Sequence, residues 1–417
     1  MALQARVIAF YLPQFHPIPE NDAWWGKGFT EWTNVAKAKP LFRGHYQPRI
    51  PIDLGYYDLR VPEVREAQAE MARNAGIEGF CYYHYWFGGK RLLERPFTEV
   101  LTTGKPDFPF CLCWANQTWS GIWHGNPDRV LMEQTYPGTE DNRRHFLALR
   151  QAFLDNRYLR FGGRPIFVIY RPTEHPDVTG FIREWQELAV QNGLSGIHFV
   201  AYLSPVESAW DFRSRGFDSC TVVSSLRVFQ LSLSQMILRQ DGTPLQALAS
   251  ISTRGYGNAF KGSIRDWMWR RYRRLSGQFG EGVRQYRHAL PYLLYGCSDH
   301  PGVYPTVTPN WDNTPRSHTR GYVLHGSTPE LFRRHLREAL NLVRRRPLND
   351  RIIFVKSWNE WAEGNYLEPD QRFGHEYLNV MKEEVAASAA SAVYPDPPLK
   401  TCTILKVGPK RPGLPNQ

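Results

Sequence analysis

The stretch Ile352-Ile353-Phe354-Val355-Lys356-Ser357-Trp358-Asn359-Glu360-Trp361-Ala362-Glu363-Gly364 is the part of the sequence that decides the fold. Its first four residues form an apolar run of the length expected for a fully buried strand. Two carboxylates, an amide and two indoles follow directly. Parallel barrels carry their catalytic residues at the carboxyl ends of the strands, so this order predicts a barrel strand that ends in an active site.

Glu360 and Glu363 are three residues apart, and a helical turn here would project both carboxyl groups from one side. Trp358 and Trp361 would then surround one carboxyl with apolar surface and raise its pKa while its partner stays ionised. Glycoside chemistry uses such a pair. The alternative is an ordinary helix start, with Asn359 as the cap and the acids in the first turn.

Strand and helix signals alternate along the chain, which predicts an α/β fold with a parallel sheet. The length of 417 residues fits a single (β/α)8 TIM barrel with insertions and a short C-terminal tail. We expect a catalytic domain over 1–393, with a basic insertion around 224–291 that contains a helix at 264–278. The tail at 394–417 is rich in Pro, Lys and Gly and is predicted to be loosely ordered. The strands are predicted at 6–12, 77–85, 108–114, 164–170, 197–203, 217–223, 304–307 and 352–355, and the main helices at 57–75, 140–156, 178–192, 328–346 and 374–389.

The composition favours a carbohydrate ligand. Aromatic residues make up 14% of the chain, and aromatic planes stack well on sugar rings. A net charge of +11 would suit an anionic partner. Much of the excess lies in arginine runs that are typical of solvated helix faces, so no nucleic acid is predicted. Contact with an anionic glycan, a lipid-linked phosphate or a membrane surface stays open.

The six cysteines mostly sit in apolar runs and are expected to be reduced core residues. Cys111 and Cys113 do not form a CxxC motif, and no spaced His and Cys set is present, so neither a metal nor a cofactor is predicted. The sequence has no apolar leader and no run long enough to span a bilayer. We therefore expect a cytoplasmic protein.

Polar and aromatic side chains gather after most of the predicted strands. In a closed barrel these strand ends meet at one mouth, where aromatic rings would stack on sugars and polar groups would bind hydroxyls. A tryptophan-rich loop after the first strand is expected to join them. The predicted substrate-binding residues are Tyr11, Gln14, His16, Trp24, Trp25, Glu31, Trp32, Tyr83, His84, Trp114, Asn116, Tyr170, Arg171, Asn310, Trp311, Asp312, Trp358 and Asn359.

Three blocks carry a family resemblance: Tyr-Leu-Pro-Gln-Phe-His at 11–16, Trp-Trp-Gly-Lys-Gly-Phe-Thr-Glu-Trp at 24–32, and Trp-Asn-Glu-Trp-Ala-Glu-Gly at 358–364. They resemble WbsX-type proteins, the glycoside hydrolase family 99-like proteins of bacterial O-antigen and capsular polysaccharide gene clusters. The similarity runs from about 6 to 384 and implies a (β/α)8 barrel.

The third block matches the Asn-Glu-Trp-x-Glu-Gly motif of the family 99 endo-α-mannosidases. The resemblance implies that Glu363 is the general acid/base and that Glu360 deprotonates the 2-hydroxyl of the substrate. A 1,2-anhydro sugar would then replace a covalent intermediate, with retention of configuration. The loop with Trp24, Trp25 and Trp32 departs from the mannosidases, so mannose specificity is not implied.

Three functions are compatible with these observations. The first is a metal-independent, retaining glycoside hydrolase acting on a bacterial surface polysaccharide or a lipid-linked oligosaccharide. The second is a glycosyltransferase or transglycosylase of O-antigen or capsule assembly; the sequence has neither a DxD-like motif nor a glycine-rich nucleotide loop, but transfer from a non-nucleotide glycoside needs neither. The third is a non-catalytic carbohydrate-binding barrel. The sugar, the linkage, endo or exo action and the oligomeric state are open.

Overall fold

A computed structural model describes residues 4–121, 126–204, 207–223 and 282–386. Within these ranges a closed barrel of parallel strands forms the centre of the molecule. Each strand pairs in parallel with the next along the chain, and the last pairs with the first. The predicted (β/α)8 TIM barrel is confirmed. Its strands are β1 (Arg6–Tyr11), β2 (Gly79–Phe87), β3 (Phe110–Trp114), β4 (Arg164–Ile169), β5 (His198–Leu203), β6 (Ser219–Val222), β7 (Val303–Val307) and β8 (Ile352–Val355).

Helices lie between the strands, some packed on the outside of the barrel and others, such as those that carry Glu31 and Arg316, in the loops. They are α1 (Pro19–Trp25), α2 (Glu31–Ala36), α3 (Pro62–Asn74), α4 (Arg95–Thr103), α5 (Thr139–Leu154), α6 (Val178–Gln191), α7 (Tyr286–Leu293), α8 (Thr314–Ser317), α9 (Pro329–Val343) and α10 (Glu376–Ala386). Helix α9 shows why they form where they do: the Thr328 hydroxyl accepts from Leu331 N–H at 3.3 Å, and Pro329 occupies the first turn.

Shorter elements decorate the loops. Short strands occur at Lys90–Leu92, Trp119–Gly121, Asn126–Met132, Arg160–Phe161, Val283–Gln285, Val323–His325, Asn359–Glu360 and Asn365–Tyr366, and 3-10 helices at Pro172–Glu174, His318–Arg320, Leu348–Asp350 and Trp361–Glu363. In the described part of the chain, no helix combines the length and apolarity needed to cross a membrane.

The barrel strands are buried on both faces, which explains their nearly continuous apolar runs. Inside the barrel, Phe10 stacks on Tyr83 and Phe354 with ring centroids 5.6 and 5.2 Å apart. Outside it, Trp185 of α6 packs on Phe167 at 4.9 Å. Each such side chain stabilises the fold by about 1.5–3 kcal/mol when fully buried. The aromatic content therefore serves the core as well as any ligand.

The segment after β8 forms neither the helical turn expected to project both acids from one side nor an ordinary helix start capped by Asn359. Asn359–Glu360 pairs antiparallel with Asn365–Tyr366, and a 3-10 turn lies between them, so the expected α-helical turn is wrong. Asn359 does not cap a helix. Its amide accepts from Leu12 N–H at 2.7 Å and donates to Leu12 C=O at 3.0 Å, which ties this segment to the end of β1.

Most of the predicted basic insertion lies outside the described residues, including its expected helix at 264–278. The part from 282 onward forms the short strand Val283–Gln285, which pairs with Val323–His325, and then α7. The predicted tail at 394–417 also lies outside the described residues. The division into a catalytic domain, an insertion and a tail stays a prediction.

Candidate active site

Glu360 and Glu363 lie together at the carboxyl end of β8, in a tight reversal of the chain. The reversal depends on Gly364, which has φ +60° and leaves room only for a hydrogen, because a Cβ atom there would come within 2.8 Å of the Asp312 backbone. Glu360 is 6% exposed and Glu363 is 7% exposed. The two carboxyl groups face each other within hydrogen-bonding reach.

Glu360 is held as a carboxylate. Lys356 Nζ donates to its Oε2 at 3.0 Å and the Ser357 hydroxyl donates to the same oxygen at 3.1 Å. Burial alone would raise the pKa of Glu360, but the positive charges of Lys356 and Arg316 outweigh burial and lower it. Lys356 is itself buried and also donates to the Tyr83 hydroxyl at 3.2 Å.

The pKa of Glu363 is shifted in the opposite direction to that of Glu360. Burial and the negative charge of Glu360 raise its pKa to about 7, although Arg316 Nη1 lies only 2.7 Å from its Oε1. Below about pH 7 a protonated carboxyl and an ionised one therefore lie side by side. This is the division that the sequence analysis expected of the pair.

Arg316 joins three carboxylates. Its Nη1 lies 2.7 Å from Glu363 and 3.9 Å from Glu360, and its Nε donates to Glu31 Oε2 at 3.1 Å. Burial alone would lower the pKa of this guanidinium, but the three acids raise it. The short helix α8 carries it and begins at Thr314, whose backbone N–H and hydroxyl both donate to Asp312 Oδ1. Glu31, predicted to bind substrate, thus belongs to the charged cluster.

Tyrosines border the acid pair on the barrel side. Tyr170 packs on Tyr83 and Tyr202, with ring centroids 6.1 and 4.6 Å apart. Gln14 donates to the Tyr85 hydroxyl at 3.2 Å. Burial raises the pKa of each of these phenols, so they stay neutral hydrogen-bonding groups. The structure therefore brings the predicted residues Gln14, Tyr83 and Tyr170 together with the acids.

Tryptophans continue this aromatic surface outward. Trp119 meets Tyr85 edge-on at 4.9 Å, and Trp24 meets Trp119 edge-on at 5.9 Å. Trp25 lies further along α1, against Phe29 at 6.1 Å. Trp311, on the β7 side, has its ring 5.7 Å from Lys356 Nζ. Trp311 thus lies next to Lys356, whereas Trp24 is linked to Tyr85 only through Trp119 in these contacts.

Three predicted residues on the strands face the helices instead of the mouth. Tyr11 donates to Gln68 Oε1 at 2.6 Å, and His84 Nε2 lies 2.9 Å from His145 Nε2. Trp114 packs on His145 as well, at 4.9 Å. Successive strand residues alternate between the two faces of a sheet, so Tyr83 points into the barrel and its neighbour His84 points out. These three are not part of the acid cluster.

Other predicted residues tie loops together. Asn116 donates to Arg171 C=O at 2.9 Å and accepts from Arg171 N–H at 2.7 Å, while the Arg171 guanidinium lies over Tyr170. Asn310 accepts from Arg49 at 2.7 Å. His16 is buried near Asp58, and burial lowers its pKa. The contacts of Asn116 and Asn310 thus join loop to loop, and neither ring nitrogen of His16 has a hydrogen-bond partner among the described residues.

Trp358 and Trp361 contact the carboxyl group of Glu368, and not Glu360 or Glu363 as expected. The indole N–H groups of Trp358 and Trp361 donate to Glu368 at 3.1 and 2.6 Å. Tyr57 and Gln68 donate to the same carboxylate at 2.9 and 2.6 Å. Burial raises the pKa of Glu368 to about 7, and the donors act against this rise. The expected tryptophan wall around the acid pair is therefore wrong.

Trp32 also has a packing role. Its indole N–H donates to Tyr57 C=O at 2.7 Å, and its ring lies 5.6 Å from Trp361.

Sequence reasoning missed Lys356, Arg316 and Glu368. Lys356 had a signal, since it follows β8 directly and stands four residues before Glu360. Arg316 had none, because its contact with Glu363 joins positions 47 residues apart. Among the described residues, no group of three or more His, Cys, Asp or Glu side chains is arranged to hold a metal ion. The positive charges next to the acids come from Lys356 and Arg316.

Comparisons with known proteins agree with this architecture. A family model described as glycosyltransferase WbsX matches residues 7–381. The uncharacterized protein WxcX of Xanthomonas campestris pv. campestris is 39% identical over 383 residues, which cover 91% of this chain and 50% of that protein. The chain therefore spans about half the length of the curated relatives it matches.

Two solved structures share the fold. One is described as a glycoside hydrolase-like protein, with a TM-score of 0.53, 15% identity, and coverage of 93% of this chain and 95% of the other. The other is the GH99 endo-alpha-mannosidase from Bacteroides thetaiotaomicron, with a TM-score of 0.50, 14% identity, and coverage of 92% and 97%.

Proposed function

We propose that this chain, which belongs to the glycosyltransferase WbsX family, is a carbohydrate-active enzyme. Its proposed activity is that of a retaining glycoside hydrolase of bacterial surface glycans, with Glu360 and Glu363 as the catalytic residues. The substrate is a polysaccharide or a lipid-linked oligosaccharide of the O-antigen or capsule type. One observation carries the proposal: two buried carboxyl groups face each other with opposite pKa shifts, beside Lys356 and Arg316.

The two acids divide the chemistry. Glu363, protonated near neutral pH, donates its proton to the glycosidic oxygen as the bond to C1 breaks. Glu360, ionised beside Lys356, takes the proton of the 2-hydroxyl, whose oxygen attacks C1 and closes a 1,2-anhydro sugar. Water then attacks C1 and gives a proton to Glu363, while Glu360 returns its proton to the 2-oxygen. Two inversions at C1 yield net retention.

The spacing of the acids supports this course. Inverting glycosidases keep their carboxyl groups about 6.5–9.5 Å apart so that a water fits between them. Here both carboxyl groups lie beside the same nitrogen, Arg316 Nη1, at 3.9 and 2.7 Å, which favours the closer spacing of about 5–5.5 Å found in retaining enzymes. Lys356 and Ser357 both donate to Oε2 of Glu360, and its other oxygen, Oε1, lies 3.9 Å from Arg316 Nη1.

Transfer is the second candidate. The description of the family as a glycosyltransferase favours it. An anhydro intermediate opened by a sugar hydroxyl instead of water gives a transglycosylase with the same acid pair. Mannose is not proposed as the sugar, since the mannosidase neighbour is only 14% identical.

The test is turnover of a panel of O-antigen and capsular oligosaccharides by the wild type, Glu360→Gln and Glu363→Gln, with and without an added acceptor sugar. We expect products with the wild type and a loss of at least about a hundredfold in each variant, since positioned acid–base groups contribute about 10²–10⁴-fold. Products extended by the acceptor would identify transfer. Binding with no turnover, unchanged in both variants, would instead identify a carbohydrate-binding barrel.

A further inference from the structure

A cavity of about 130 Å³ lies beside the acid cluster, between the loop at 44–49, the short strand Val323–His325 and the turn at 372–373. A backbone hydrogen bond of 2.8 Å from Leu324 N–H to Trp311 C=O fixes one wall. Pockets for drug-sized ligands have volumes of about 300–1,000 Å³. The cavity therefore suits a small chemical group and not a stretch of glycan.

Asp312 lines the cavity, and the negative charge of its carboxylate is already balanced by a neighbouring residue. Asp312 is fully buried, and its carboxylate accepts from His45 Nε2 at 2.8 Å, from Gln47 Nε2 at 2.7 Å and from the Thr314 hydroxyl at 2.6 Å. Arg49 Nη2 lies 3.7 Å from it and balances its charge. The acid thus has its partners within the protein and does little to repel an incoming anion.

The remaining donors lack such partners. Arg372 lies over the rings of Tyr46 and Phe373 at 5.0 and 5.2 Å, and within the described ranges no carboxylate comes within ion-pair distance of its guanidinium. Arg49 differs from Arg372, because its Nη1 donates to Asn310 at 2.7 Å and its Nη2 lies 3.7 Å from Asp312. The imidazole of His325 lines the same cavity. Arg372 and His325 therefore offer donors to a cavity whose acidic lining residue, Asp312, already has its partners.

We propose that this cavity binds a small oxyanion, the carboxylate or phosphate substituent of an acidic glycan, through Arg372 and His325. The oxyanion site is inferred from the geometry of the cavity alone. The identification of the ligand as part of a glycan rests on the proposed function. Asp312 connects the two sites, because its N–H donates to Glu363 C=O at 2.7 Å. An acidic sugar unit bound in the cavity would therefore lie next to the backbone segment that carries Glu363.

Calorimetric titration of the full chain tests the site. The ligands are inorganic phosphate, methyl glucuronoside and, as the neutral match, methyl glucoside. We expect the wild type to bind an anion but not the neutral sugar. Arg372→Gln should weaken anion binding about tenfold or more, because a charge-assisted hydrogen bond is lost. His325→Gln should weaken it several-fold, and Arg372→Lys should restore part of it.

Arg143→Gln, an exposed arginine on α5, is the matched control and should bind like the wild type. Tighter glucuronoside binding would assign an acidic sugar, and tighter phosphate binding a phosphate substituent. Equal affinities for wild type, Arg372→Gln and the control, or a neutral sugar that binds as well as the anions, would overturn the site. If anion binding depends on Arg372 but no glycan is turned over, the oxyanion site is supported and the proposed hydrolase activity is contradicted.

Discussion

The raised pKa of Glu363 makes a prediction about stability that needs no substrate. An acid whose pKa is about 7 in the folded protein and 4.5 as a free side chain binds its proton more tightly when folded. The folded state therefore holds more protons between those two values. The free energy of unfolding should fall as the pH rises through this window and stay low above it.

Replacing Glu363 by Gln keeps the shape of the protonated acid and removes its titration. A shift from 4.5 to about 7 corresponds to roughly 3 kcal/mol, at about 1.4 kcal/mol per pKa unit. Below pH 4.5 the variant should resemble the wild type in stability. Above pH 7 it should have gained about 3 kcal/mol relative to the wild type, because it no longer ionises a buried acid.

The measurement is urea unfolding of both proteins at half-unit steps from pH 4 to 8. The titration of Glu368 is common to both proteins and cancels in the difference. Glu140→Gln, which removes an exposed acid on α5, is the control for the same substitution at the surface. A difference between wild type and Glu363→Gln that stays flat across the window, or that moves in favour of the wild type as the pH rises, would refute the reasoning.

Three further substitutions test the surroundings of the pair. Lys356→Met leaves the buried carboxylate of Glu360 without its 3.0 Å partner and should cost about 3–5 kcal/mol in urea unfolding at pH 7, a loss that shrinks as the pH is lowered and the acid takes up a proton. Glu31→Gln removes a competitor for the shared arginine, so the pKa of Glu363 should fall and the alkaline limb of the pH–rate profile should move to lower pH; an unmoved limb would contradict this coupling. Glu368→Leu leaves its buried donors unpaired and should cost at least about 3 kcal/mol, whereas a neutral effect would show that those hydrogen bonds contribute little.

The barrel could be predicted because its strands carry their own signal. A strand buried on both faces reads as a short apolar run, and β8 was placed at its observed bounds while the other strands were placed within a few residues. The five main helices that were predicted lie within a few residues of their expected bounds, as α9 does with Thr328 at its N-cap, whereas the shorter helices of the loops were not predicted.

The lining of the site was harder to predict, because the side of the sheet that a residue faces depends on the strand's register within the barrel. Tyr83 and His84 are neighbours with similar chemistry, yet one contacts Lys356 and the other contacts α5. Long-range partners had no local signal at all. Arg316 reaches Glu31 across 285 positions, so only the folded chain shows that these two charges belong to one cluster.

The configuration of the first-formed product tests the central claim most directly. A proton NMR spectrum recorded within the first minutes of turnover, before mutarotation, reports the anomer that leaves the enzyme. The acid pair as described predicts the same configuration as in the substrate, from the wild type only and from neither Glu360→Gln nor Glu363→Gln. An inverted product, or a retained product that persists in either variant, would contradict the account.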